Sequence, residues 1–90
     1  MNLNIEQLKK KIIYRSNYRG TKEMDKLLSS FVNKYIDNLC DSELLLLSEF
    51  LEIDDDELYK FYNGLNTNYK FDDSKIIQLF KKFKYKNTYK

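Results

Sequence analysis

"KEMDKLLSSFVNKYIDNL", residues 22 to 39, spaces its apolar side chains at helical rather than strand intervals. Met24, Leu27, Leu28, Phe31, Val32, Tyr35, Ile36 and Leu39 fall at i, i+3, i+4, i+7, i+8, i+11, i+12 and i+15. At about 100° per residue these positions share one face. Lys26, Ser29, Ser30, Asn33, Lys34 and Asp37 take the other. A helix with a wide apolar face must bury it against other elements, so this stretch predicts a helical bundle.

The flanking segments supply the partners. Asn4 is a good N-cap, and Ile5, Leu8, Ile12 and Tyr14 predict a first helix to about Asn17, ending near Arg19-Gly20. Cys40 or Asp41 precedes a third helix, expected to be central, with a core stripe of Leu44, Leu47, Phe50 and Leu51 widened by Leu45 and Leu46. The acids of "DDDEL", 54 to 58, suit the first turn of a fourth helix, where they cap free N–H groups and complement the dipole. Leu58, Tyr59, Phe61 and Tyr62 follow, and Gly64 is a natural terminator. Residues 65 to 71 read as a loop. Asp72 or Asp73 then caps a fifth helix whose apolar side is Ile76, Ile77, Leu79, Phe80 and Phe83. No alternating strand pattern or internal repeat occurs. The expected fold is all-α, a compact five-helix bundle forming a single domain over residues 1–90, with a frayed tail at 85–90.

Composition narrows function. Ninety residues suffice for one core and not for two. The longest apolar run, Leu44 to Leu47, falls far short of the roughly 18 residues that span a membrane, and no signal-like or Arg/Ser-rich presequence opens the chain. No membrane insertion and a cytoplasmic location are therefore expected. Cys40 is the only cysteine, which excludes an intramolecular disulfide and fits a reducing compartment. Histidine is absent, removing the commonest general base and metal ligand, so a catalytic site is not expected. The acids at 54 to 57 lack the twelve-residue ligand spacing and central glycine of a calcium loop. They read as a helix start.

Charge is segregated along the chain. Residues 1 to 22 carry six bases and one acid, residues 35 to 59 carry nine acids and no base, and residues 81 to 90 carry five lysines. The basic ends, "KKKIIYRSNYR" and "FKKFKYKNTYK", interleave lysines with tyrosines as a nucleic-acid surface does. The acidic middle would repel a phosphate backbone, and no polar recognition helix is present, so nucleic acid is not the expected partner. A generic helical interaction module is the other rival.

The junction "YRGTKEMD", 18 to 25, places one of only two glycines between two amphipathic segments in a chain without proline. Gly20 suits a left-handed C′ residue ending the first helix, and it also lets another backbone come close. Glu23 either completes a capping box or faces a partner. Glu23 and Asp25 flank Met24 by about 100° on either side, so both are expected to be exposed. Arg19 with these carboxylates makes a directional polar docking surface.

Here the sequence resembles the succinate dehydrogenase FAD assembly factors, whose R-G-x-x-E signature is matched by Arg19, Gly20 and Glu23. Tyr14 five residues before the arginine, Asp25 after the glutamate, the second-helix register with Phe31 and "DDDELYKFYNG" extend the likeness over residues 8 to 64. Thr21, Asp56 and Phe61 stand where the family often has methionine, proline and tryptophan. The resemblance implies a non-enzymatic, chaperone-like factor that binds the flavoprotein subunit of succinate dehydrogenase, with that of fumarate reductase as a second candidate. It implies promotion of covalent FAD attachment to that subunit. With no dinucleotide fingerprint in the sequence, no cofactor of its own is expected, and a monomer is the default. Carried over residue by residue, the partner contacts are Arg19, Gly20 and Glu23, bordered by Tyr14, Arg15 and Asp25.

Overall fold

In the computed structural model, residues 4–83 are described; the expected frayed tail at 85–90, with Tyr85 and Tyr89, lies outside them. The first helix, α1 (Ile5–Asn17), starts where the Asn4 side chain accepts the N–H of Gln7 at 3.1 Å. Its buried positions are Leu8, Ile12 and Ser16, a strict i, i+4, i+8 row. Ser16 is tolerated there because its hydroxyl donates to the Ile13 carbonyl at 2.8 Å. Tyr14 departs from the expected stripe. Two residues beyond Ile12 lies about 200° round the helix, and its ring is exposed.

Helix α2 (Lys22–Tyr35) is capped by Thr21, whose hydroxyl accepts the N–H of Met24 at 3.1 Å. Met24, Leu27, Leu28, Phe31 and Val32 are buried along it as the spacing predicts. The α geometry ends at Tyr35, and a 3-10 turn (Ile36–Asn38) carries the same face onward, with Ile36 buried and Leu39 half-buried against the core.

Cys40 then precedes α3 (Asp41–Phe50), and its N–H donates to Glu43 Oε1 at 2.9 Å. Leu44, Leu47, Phe50 and Leu51 are buried, whereas Leu45 faces solvent and Leu46 is only half-buried, so the run of leucines widens the stripe on one side alone. As expected, α3 is the middle element, packing on α1 on one side and α5 on the other.

Helix α4 (Asp55–Tyr62) contributes one fully buried residue, Leu58. It ends in a glycine motif: Gly64 has φ +73°, its N–H donates to the Phe61 carbonyl at 3.1 Å, and Leu65 N–H reaches back to the Lys60 carbonyl at 2.8 Å. The loop that follows is tied to α4. Phe71 stacks on Phe61 with centroids 4.1 Å apart, and Glu57 Oε1 accepts the N–H groups of Asn68 and Tyr69 at 2.9 and 3.3 Å. Ser74, rather than either aspartate, caps α5 (Lys75–Lys82) by accepting the N–H of Ile77 at 3.4 Å. Asp72 instead accepts the N–H of Ser74 at 2.9 Å.

One core joins the five helices, and no strand occurs among the described residues. Its centre is aromatic: Phe31 lies 5.7, 5.2 and 5.4 Å from the rings of Phe50, Phe80 and Phe83, with Phe80 and Phe83 edge-on to it. Each such side chain contributes about 1.5–3 kcal/mol by burial. Among the described residues, no helix is long and apolar enough to cross a membrane.

Candidate docking corner

The α1–α2 corner, Tyr18 to Thr21, turns without any left-handed residue. Tyr18 sits at φ −124°, ψ 67° and Thr21 at φ −138°, ψ 160°, and Gly64 is the one residue with positive φ among those described. The expectation that Gly20 ends α1 in a left-handed conformation is therefore corrected. The corner is held by side chains instead of by a left-handed residue.

Two carboxylates hold it. Asp25, in the first turn of α2, accepts the N–H of Arg19 at 2.5 Å through Oδ1. Asp55, the first residue of α4, divides its oxygens: Oδ1 accepts Arg19 Nε at 2.7 Å and Oδ2 accepts the Gly20 N–H at 2.6 Å. A Cβ at position 20 would stand 3.1 Å from that same Oδ2, so the missing side chain makes room for the carboxylate. The acids opening α4 complement its dipole, but Asp54 makes no side-chain cap and Asp55 is turned onto the corner.

Arg19 lies inside this arrangement. Its side chain is 9% exposed, and beyond Asp55 it donates through Nη1 to the carbonyls of Leu51 (2.8 Å) and Arg15 (3.3 Å) and through Nη2 to that of Ile53 (3.1 Å). A planar fork of donors suits three carbonyls and one carboxylate in a way an ammonium does not. The expected outward-facing guanidinium is thus corrected. Arg19 latches α1 to the segment that leads into α4, and a half-buried ion pair with satisfied carbonyls explains why a cation is tolerated there.

Glu23 is exposed, as expected, but it forms no capping box. With Thr21 as N-cap, the reciprocal position three residues on is Met24, and Glu23 occupies the second turn position with its carboxylate in solvent. Asp25 is half-buried on Arg19 rather than exposed. Arg15 pairs with Glu52 across the α3–α4 segment. Tyr14 packs against Tyr18 with centroids 4.6 Å apart and the rings tilted by 38°, and both rings are open to solvent.

What the corner offers outward is a glycine ridge between two shallow depressions. Gly20 and Asp55 line both; Thr21, Glu23, Met24, Asp56 and Tyr59 complete one, and Tyr18, Arg19, Glu52 and Asp54 are among the residues of the other. Of the six candidate residues, Gly20, Glu23 and Tyr14 are exposed, Arg15 is half-buried, and Arg19 and Asp25 support the corner from behind. Sequence reasoning missed Asp55, Tyr18 and Tyr59. The signal for Asp55 is the basic first third of the chain facing an acidic run; the two tyrosines carry no spacing signal that separates them from ordinary helix-face residues.

The family model described as flavinator of succinate dehydrogenase (Sdh5) matches residues 10–84. The chain is similar to the succinate dehydrogenase assembly factor 2, mitochondrial, of Meyerozyma guilliermondii, at 33% identity over 86% of this chain and 60% of that protein. It is similar to the proteins of the same name from Lodderomyces elongisporus, 33% identical over 87% of this chain and 50% of that one, and Scheffersomyces stipitis, 34% over 77% and 49%. The chain thus spans about half to three-fifths of the length of these curated relatives. No solved structure matches it.

Proposed function

The chain belongs to the flavinator of succinate dehydrogenase family, and from that membership we propose that it is an assembly factor for the flavoprotein subunit of succinate dehydrogenase. It binds that subunit and promotes the covalent attachment of FAD to one of the subunit's histidines. The observation that carries the reading is the family match across residues 10–84, which takes in the whole corner.

The chain's own chemistry supports assistance rather than catalysis. It has no histidine, so it offers no imidazole to accept flavin or to move a proton, and no glycine-rich dinucleotide motif to hold FAD tightly. In this reading the flavoprotein supplies the reacting histidine, FAD supplies its own electrophilic ring, and the assembly factor holds the flavoprotein in an arrangement where the two meet. Gly20 and Glu23 make the direct contacts, the glycine by close backbone approach and the glutamate by a charge-assisted bond. Tyr14 and Arg15 border them on α1, and Arg19 and Asp25 hold the edge. The protein acts as a monomer in the cytoplasm, where a lone exposed Cys40 stays reduced, and serves the fumarate reductase flavoprotein as a second client.

Co-expression with the cognate flavoprotein subunit, in a host lacking its own assembly factor, tests this. Fluorescence of the denatured subunit band reports covalent flavin and is expected to rise several-fold when the chain is present. Equal fluorescence with and without it would sink the proposal.

A further inference from the structure

We propose that Asp55 is the positioning residue of the docking edge: resting on the functional reading above, it acts through Gly20 and Arg19 to hold the Gly20–Glu23 backbone in the shape the flavoprotein subunit meets. Three observations converge on it. Thr21 is extended, Tyr18 lies between the extended and helical regions, and no corner residue is left-handed, so no left-handed backbone preference fixes this turn. Among the described residues, Asp55 is the one side chain from outside α2 that takes a backbone N–H of the corner, at 2.6 Å. The absent Cβ at position 20 is matched to that same oxygen, which a methyl group would approach to 3.1 Å.

Anchoring α4 to the bundle does not require this second oxygen. Arg19 already donates to the carbonyls of Leu51 and Ile53, immediately before α4, and Asp55 Oδ1 accepts Arg19 Nε. Oδ2 on the Gly20 N–H is a second tie beside that one, and it also fixes the orientation of the peptide at the exposed ridge between the two depressions. A ridge held in its bound shape before the partner arrives loses less conformational freedom on docking. The signature arginine, on this view, serves recognition from the interior, with Asp55 as its lever.

The test compares Asp55→Asn, which keeps shape and removes charge, with Asp55→Glu and with Ile76→Val, a core change remote from the corner, all as the full chain at a temperature where each is folded. Three quantities are read: the Gly20 amide resonance in a ¹⁵N-labelled sample, the Kd for the purified flavoprotein subunit, and the covalent-flavin rate at saturating assembly factor. In Asp55→Asn the Gly20 amide should shift, Kd should rise about tenfold, and the saturated rate should stay within about twofold of wild type. Ile76→Val should move none of these. Gly20→Ala should weaken binding far less in the Asp55→Asn background than in wild type, because the two positions share one contact. If Asp55→Asn does not fold, Asp55→Glu carries the same readouts with a smaller rise in Kd. Binding by the Asp55 variants as tight as wild type, or no weaker than that of Ile76→Val, overturns the proposal. Failure of the wild-type chain to bind the subunit at all overturns the functional reading first and this one with it, and is seen before any variant is made.

Discussion

The two glycines of this chain end helices by opposite means. Gly64 closes α4 locally: its φ of +73°, the short-range bonds to Phe61 and Lys60, and open space where a Cβ would go make the motif independent of the rest of the molecule. Gly20 turns α1 into α2 with no left-handed dihedral, and its N–H is taken by a carboxylate 35 residues away. One glycine is needed for what the backbone does there. The other is needed for what approaches it. Turns of the first kind belong to a helix; those of the second belong to a tertiary surface, and the docking edge proposed above falls at the second.

The sharpest way to break the contrast is Arg19→Ala, which removes the ion pair with Asp55 and leaves the Leu51 and Ile53 carbonyls without their donor. A stability loss of about 3 kcal/mol is expected in urea unfolding, with Arg19→Lys restoring only part of it. Gly64→Ala should cost about 1 kcal/mol through its left-handed φ while leaving covalent flavin unchanged in the co-expression assay. Gly20→Ala should invert that pattern: the clash is with the end of one side chain, so stability should change by no more than about 0.5 kcal/mol while covalent flavin falls several-fold. Equal behaviour of the two glycine variants in both assays would dissolve the distinction.

The smallest effect is expected at a third turn. The Glu43 carboxyl is held below its ordinary value, chiefly by accepting the Cys40 backbone N–H and then by Lys75. A depressed folded value means stability that is fully present above the unfolded value of about 4.3 and lost as pH falls through the folded one. Urea melts of wild type and Glu43→Gln should therefore differ slightly at pH 6 and converge in acid. A gap that persists at low pH would deny the carboxylate this role.

Periodicity carried most of the fold into view. The α2 face from Met24 to Ile36, the middle position of α3 and the Gly64 terminus were all legible, because each depends on residues within a few positions of one another. The errors at Tyr14 and at the α5 cap were of one turn or less. What stayed hidden was the pairing of Arg19 with Asp55. Both residue types have good local roles, one in a docking motif and the other in a helix start, and nothing in a spacing pattern reveals which carboxylate a guanidinium will find 36 residues on. The motif residues gather at one corner, and their division into an inner pair, Arg19 and Asp25, and an outer pair, Gly20 and Glu23, is set by burial that only the packed corner reveals.

The divided carboxylate of Asp55 also has a meaning for inheritance. A side chain that answers to both Arg19 and Gly20 binds three positions into one heritable unit, so a drifting lineage cannot change any of them singly without disturbing the others. Acid lost at position 55 should travel with change at 19 or 20 among relatives, whereas Gly64, tied only to its own helix, is free to be exchanged for asparagine on its own.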